Sequence, residues 1–191
     1  MRIIGGSAAG TLLKVPKGFA VRPTPDLVRQ AIFNSLAPRI AGAGVLELFG
    51  GTGALSLECL SRGAAHSVCI ENSSRHSQFI LQNLALARLA PASLDVRVQD
   101  AFAAISQLAD VQKQFDLIFA DPPYGEKNVG RRSTSFAQQL LDNGDLPRLI
   151  APGGLFILGH TKRDALIVPE PWQEAKILKH GDSVMRFLRT D

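Results

Sequence analysis

Short apolar runs alternate with stretches of helical period along this chain, and that alternation predicts its elements. Residues 45–49, 67–70, 94–98, 115–120 and 153–158 read as strands. Residues 54–62, 74–89, 102–108 and 136–141 read as helices, with a further short one around 146–150. The run at 115–120 is almost unbroken in apolar residues, which suits a central parallel strand covered on both faces. Residues 175–179 and 184–188 flank Gly181-Asp182 and read as a closing antiparallel pair. Helices alternating with buried strands predict a three-layer α/β domain, with a Rossmann-like, mostly parallel sheet and an antiparallel last strand.

Ahead of these elements, residues 2–4 and 11–15 are apolar-rich around Gly5-Gly6 and Gly10. They read as a small hairpin appendage, residues 1–21, before a main domain of residues 22–191. A hairpin this small has no core of its own and must lean on the main domain or on a substrate. A helix follows, with Thr24 suited to its N-cap, Pro25 to its first position and Asp26 to its first turn. Its apolar face runs through Leu36, and Pro38 with the glycines at 42 and 44 ends it.

The chain is organised around residues 45–71, VLELFGGTGALSLECLSRGAAHSVCIE. Strand, glycine turn, helix, strand and acid follow one another, the layout of a nucleotide-binding βαβ unit. The glycines permit a tight turn and a close approach of backbone N–H groups to a ligand. Glu71 falls where a ribose diol binds in such units. A dinucleotide fits poorly, because Ser56 fills the third glycine place of the usual fingerprint. A phosphate-binding loop fits worse, because no Gly-Lys-Ser/Thr follows. S-adenosylmethionine remains, and Glu47, the glycine turn, Glu71 and Asp100 are placed for its methionine part, ribose and adenine.

Composition narrows the class. The chain has 191 residues, 46% apolar and 20% charged, which fits one folded soluble domain. No apolar run reaches membrane-spanning length and no signal-peptide pattern opens the chain, so a cytoplasmic protein is expected. Cys59 and Cys69 make no disulfide framework and are expected as buried thiols. His66, His76, His160 and His180 are scattered, so no metal is expected. Pro169-Glu170-Pro171 and Trp172 read as a structural linker before the last strands.

The net charge of +4 is unevenly placed. Residues 1–39 hold Arg2, Lys14, Lys17, Arg22, Arg29 and Arg39 against Asp26 alone, a local +5 that leaves −1 for the rest. That is a phosphate-contacting footprint. Arg29 itself reads as an exposed helical residue, a brace for the cofactor turn or an RNA contact.

Asp121-Pro122-Pro123-Tyr124 follows the run at 115–120 directly. Two prolines fix the backbone and remove two donors, leaving carbonyl oxygens free to accept hydrogen bonds. With the Asp121 carboxylate they can grip an exocyclic amine from two sides, its lone pair turned to a sulfonium methyl. Tyr124 can stack on the base that carries the amine. A paired base would first have to be exposed or flipped. The segment from 125 to 135 carries Lys127, Arg131 and Arg132 and reads as a mobile basic loop.

At these residues the chain resembles the class I S-adenosylmethionine-dependent methyltransferases. More narrowly, it resembles the bacterial enzymes that methylate guanine N2 in 16S ribosomal RNA. Arg2-Ile3-Ile4-Gly5-Gly6 carries the likeness, as does Arg22-Pro23-Thr24 with Asp26, Val28, Arg29, Ile32, Phe33 and Asn34. So do residues 48–63 and Asp121-Pro122-Pro123-Tyr124. The resemblance implies a monomer acting on the assembled or assembling small subunit. It implies a cofactor site of Arg22, Thr24, Glu47, Gly51, Gly53, Glu71, Asp100, Ala101 and Asp121. It makes Asp121, Pro122 and Tyr124 catalytic, with Pro123, Tyr124, Lys127, Arg131, Arg132, Arg2, Lys14 and Lys17 toward the RNA. The chain departs from the family at Glu47, where Asp is general, at Gly50, often Ala, and at Gly159-His160, where relatives often carry an acid. The same tetrad also serves adenine-N6, cytosine-N4 and glutamine-amide methylation, and a silent RNA-binding assembly factor is the rival of another class.

Overall fold

Whether these runs form strands depends on what covers them. In a computed structural model, described for residues 1–16, 26–124, 128 and 131–190, the chain divides into two compact units, Met1–Ala101 and Phe102–Asp191. Seven strands and five α-helices are present among the described residues.

The first unit holds three parallel strands, β1 (Gly44–Leu48), β2 (His66–Glu71) and β3 (Leu94–Val98), in the order β3-β2-β1. Leu48 pairs with Ile70 and Glu71 with Val98, so the carboxyl ends of the strands lie side by side. β1 is buried at all of its positions, the signature of a strand covered on both faces. α2 (Ala54–Ser61) joins β1 to β2 and is likewise buried throughout. α3 (Ser74–Leu86) joins β2 to β3 and buries Ser77, Ile80, Asn83 and Leu84, one stripe at helical spacing. Ser73 caps its start by accepting from the His76 N–H.

α1 (Asp26–Ile40) runs past Pro38, further than its sequence suggests. The proline forfeits one backbone bond and only Arg39 and Ile40 follow it, so the helix ends within the same turn. The N-terminal hairpin is looser than expected. It makes a single antiparallel bridge, Arg2 to Leu12, with flanking bonds from Ile3 N to Thr11 O and Leu13 N to Met1 O. The reason is competition: the Ile4 and Gly5 N–H groups go to the Glu58 carboxylate of α2, at 2.7 and 2.8 Å.

The second unit holds β4 (Phe115–Ala120), β5 (Ile150–Thr161), β6 (Gln173–His180) and β7 (Ser183–Arg189), in the order β4-β5-β7-β6. β4 and β5 are parallel, and β7 is antiparallel to both of its neighbours, as expected for the closing pair. β5 begins earlier and ends later than its apolar run, because Ile150 already pairs with Phe115 and Thr161 still pairs with Ser183. α4 (Ala101–Asp110) opens at the boundary of the two units, and α5 (Phe136–Leu141) starts at the Ser135 N-cap. Trp172 is buried against Phe156, ring centroids 5.2 Å apart, and its indole N–H reaches the Leu141 carbonyl. No described helix is long and apolar enough to cross a membrane.

Candidate active site

The turn after β1 is closed by two short backbone bonds, Gly50 N to Ile70 O and Gly53 N to Gly50 O, each 2.7 Å. Gly53 has φ +73° and caps α2; a Cβ there would stand 2.7 Å from the Ile80 side chain of α3. Glycine is therefore required both by conformation and by the close approach of a second helix. At Gly50 a Cβ would lie 2.5 Å from the Cys69 sulfur, which explains why this chain keeps glycine beside that cysteine.

Glu71, at the end of β2, holds the turn from the side. Its Oε2 accepts from the Gly51 N–H at 2.7 Å and its Oε1 from the Ser73 N–H at 2.8 Å. His76 Nδ1 also lies 3.5 Å from Oε1, while Oε2, with one donor, keeps a further acceptor position for a hydroxyl. Beyond β3 the Gln99 N–H bonds the Glu71 carbonyl, which places exposed Asp100 and buried Ala101 just past the same edge.

Glu47, in β1, already serves the protein itself. It is only 3% exposed, and its carboxylate accepts from the Ser56 N–H at 2.9 Å with the Cys69 sulfur at 3.5 Å. The N-cap of α2 is a glycine with no side chain to offer, so the first turn takes its acceptor from the strand beneath. Glu47 thus holds the first turn of α2. Burial pushes its carboxyl up to about 7, against hydrogen bonds from Ser56 and Cys69 that pull the other way. A carboxyl raised on folding stabilises the fold while protonated. That contribution is whole below about 4.5 and is lost as pH rises through about 7. Stability is expected to fall by about 3 kcal/mol over that window, and Glu47→Gln to remove the slope, as read from denaturation midpoints between pH 5 and 8.

Three residues that sequence reasoning passed over hold the hairpin: Glu58 and Ser61 tie it to α2, and Asn83 to the glycine turn. Glu58 is wholly buried and, besides Ile4 and Gly5, accepts from Arg62 Nε at 2.7 Å. Ser61 receives the Ala8 N–H and donates to the Gly5 carbonyl. Asn83 is fully buried; its amide takes the Lys14 N–H, returns a bond to the Lys14 carbonyl, and donates to the Thr52 carbonyl of the glycine turn. Arg29 is neither exposed nor at the turn. Its guanidinium is buried, with Nη2 bonded to the Arg2 carbonyl and to Asp26. Arg2 and Lys14 keep their charged ends outside, toward Asp26 and Gln82. Lys17, Arg22 and Thr24 lie outside the described residues.

In the second unit, Asp121 leaves β4 half-buried, Pro122 is buried, and Pro123 and Tyr124 are exposed. The Tyr124 hydroxyl lies 3.5 Å from Ser183 Oγ, at the start of β7. Partial burial pushes that hydroxyl up to about 12, with the Asp121 charge adding to it. Tyr124 as a whole is 39% exposed. Lys127 lies outside the described residues. Arg131 is exposed, and Arg132 is paired with Asp142 at 2.7 Å.

His160 is buried, not a rim group. Its Nε2 accepts from Arg186 Nε at 3.0 Å, so Nδ1 carries the proton and donates to the Thr161 carbonyl. Burial and the Arg186 charge lower its pKa and keep it neutral. Arg186 goes on to pair with Glu174. At the tip of the β6–β7 hairpin, Asp182 draws in Lys162 at 3.0 Å and Arg163 at 3.7 Å. The Gly181-Asp182 turn was the only sequence signal for this cluster. Among the described residues no group of His, Cys, Asp and Glu is arranged to hold a metal ion.

A family model described as conserved hypothetical protein 95 matches residues 1–189. The chain is 43% identical over 124 residues to ribosomal RNA small subunit methyltransferase D of Escherichia coli strain K12, covering 65% of this chain and 60% of that protein. It is 31% identical over 172 residues to the Haemophilus influenzae protein of the same name, covering 90% of this chain and 84% of that one. A solved Escherichia coli structure, provisionally described as the methyltransferase yhhF, superposes with a TM-score of 0.77 at 32% identity, covering 100% of this chain and 98% of that one. SMU.776, provisionally described as a methyltransferase and crystallised with SAH, superposes with a TM-score of 0.71. At 16% identity, covering 87% of this chain and 50% of that one, it shares the fold alone.

Proposed function

The chain belongs to the conserved hypothetical protein 95 family, and from that membership we propose that it methylates the exocyclic N2 of a guanine in the 16S RNA of the small ribosomal subunit. The reading rests above all on Asp121-Pro122-Pro123-Tyr124 at the end of β4, where a carboxylate, a proline-fixed backbone and an exposed tyrosine leave the strand together. The name of the Escherichia coli relative supports the substrate. The alignment spans 60% of that relative, so the whole enzyme's substrate and partners come to this chain as proposals.

S-adenosylmethionine supplies the electrophilic methyl group, and the first unit fits it. Glu71 Oε2 keeps an acceptor position for a ribose hydroxyl, Gly51 and Gly53 bring backbone close, and Asp100 with Ala101 borders the adenine side. The methyltransferase name of the Escherichia coli relative supports this choice. Arg22 and Thr24 close the cofactor side in this proposal.

In the second unit, the Asp121 carboxylate and the Pro122 carbonyl accept the two N–H bonds of the amine. That arrangement turns the nitrogen lone pair outward and holds the base against the Tyr124 ring. Holding reactants in line supplies much of the acceleration. The methylated nitrogen carries an acidic proton, which Asp121 or water takes, so no strong base is needed beforehand. Arg2, Lys14, Lys17, Lys127, Arg131 and Arg132 are assigned to contacts with the RNA in this proposal. The protein acts in the cytoplasm as a monomer.

The deciding experiment incubates the protein with labelled S-adenosylmethionine and small subunits lacking the modification, then maps the methylated nucleotide. Label on the N2 of one 16S guanine is expected. Label confined to DNA adenine or to protein overturns the reading, and so does none at all.

A further inference from the structure

Gly159 sits in the regular β5 ladder, opposite Met185 of β7. It is not among the glycines with positive φ, so the backbone does not demand glycine there. Glycine weakens a strand interior unless something must come close to it. What comes close is Asp121. Ala120 pairs with Leu158, so Asp121 leaves β4 alongside Gly159. A Cβ at position 159 would lie 2.4 Å from Asp121 Oδ1, 3.1 Å from its Cγ and 3.2 Å from Met185 Sδ.

We propose that Gly159 is a positioning residue: the room left by its missing side chain seats the Asp121 carboxylate against β5 and sets the direction from which the acceptor amine is gripped. The inference rests on Asp121 holding that amine. A methyl group at 159 meets the movable end of a side chain, not backbone. The fold therefore survives Gly159→Ala, and the carboxylate turns away. Misplacing a reacting group by about 1 Å can cost a hundred-fold in rate.

The test compares wild type, Gly159→Ala, Asp121→Ala and the double variant. Turnover on unmodified small subunits, cofactor KM and thermal midpoint are measured for each. Tyr124 is the sole tyrosine of the chain, so in tyrosine-labelled protein its ring resonances report on the neighbouring carboxylate without assignment. Gly159→Ala is expected to lower kcat by about ten- to a hundred-fold, with cofactor KM unchanged and the tyrosine resonances shifted. In the Asp121→Ala background the same substitution should change neither kcat nor those resonances. Unchanged kcat in Gly159→Ala, or an equal loss in both backgrounds, overturns the proposal. If wild type methylates nothing, the functional reading fails and the tyrosine cycle alone decides whether Gly159 seats the carboxylate. If Gly159→Ala does not fold, the double variant should; failure of both also overturns it.

Discussion

Asp121→Ala is expected to lower methyl transfer by about a thousand-fold while leaving the affinity for S-adenosylmethionine within about two-fold. The carboxylate leaves β4 half-buried, next to the Pro122 carbonyl that is the second acceptor of the proposed grip. Removing it frees the amine to rotate and to delocalise its lone pair into the ring. The residues proposed to hold the cofactor's ribose and adenine end, Glu71, Gly51 and Asp100, belong to the other compact unit and keep their own bonds. Single-turnover rates with saturating small subunits, set beside calorimetric titration with S-adenosylhomocysteine, separate the two effects. Transfer at the wild-type rate would remove Asp121 from the chemistry. Asp121→Asn keeps one carbonyl acceptor and should fall between the two.

The largest effect on stability is expected from Glu58→Ala. That carboxylate is wholly buried and serves three donors: the Ile4 and Gly5 N–H groups and Arg62 Nε. Truncation leaves all three without their acceptor. Breaking a buried ion pair from one side costs about 4 kcal/mol, and the two orphaned amides add to it. Arg62 keeps the face of Phe33, 5.1 Å from the ring centroid, which tempers the loss. The expected result is a large drop in the denaturation midpoint and rapid hydrogen exchange at Ile4 and Gly5. Slow exchange at those two amides in the variant would mean that the hairpin is held by other contacts.

Much of this was legible beforehand. The unbroken apolar run of β4, the prolines after it and the glycine turn after β1 are local signals, and each fell where the structure has it. What stayed hidden depended on which way a side chain turns. Glu47 and Glu71 both read as acids in or at the end of parallel strands. The Glu47 carboxylate turns to α2, and that of Glu71 to the glycine turn. Nothing local distinguishes them, apart from the glycine N-cap that leaves α2 in need of an acceptor. Arg29 lies at helical spacing between apolar neighbours, and only the hairpin folded over it shows why it is buried. Gly159 reads as an ordinary strand glycine until β4 is laid beside β5.

The placement of Trp172 bears on how all of this is measured. The chain has one tryptophan and one tyrosine, at positions 172 and 124, and both belong to the second unit. The first unit absorbs and emits through phenylalanine alone. Intrinsic fluorescence therefore watches Trp172 leave Phe156 and Leu141 and is blind to the glycine turn and the hairpin. An emission melt of a Glu58 variant therefore reports directly on the second unit, and far-ultraviolet dichroism recorded alongside is needed to follow the helices and strands of the first.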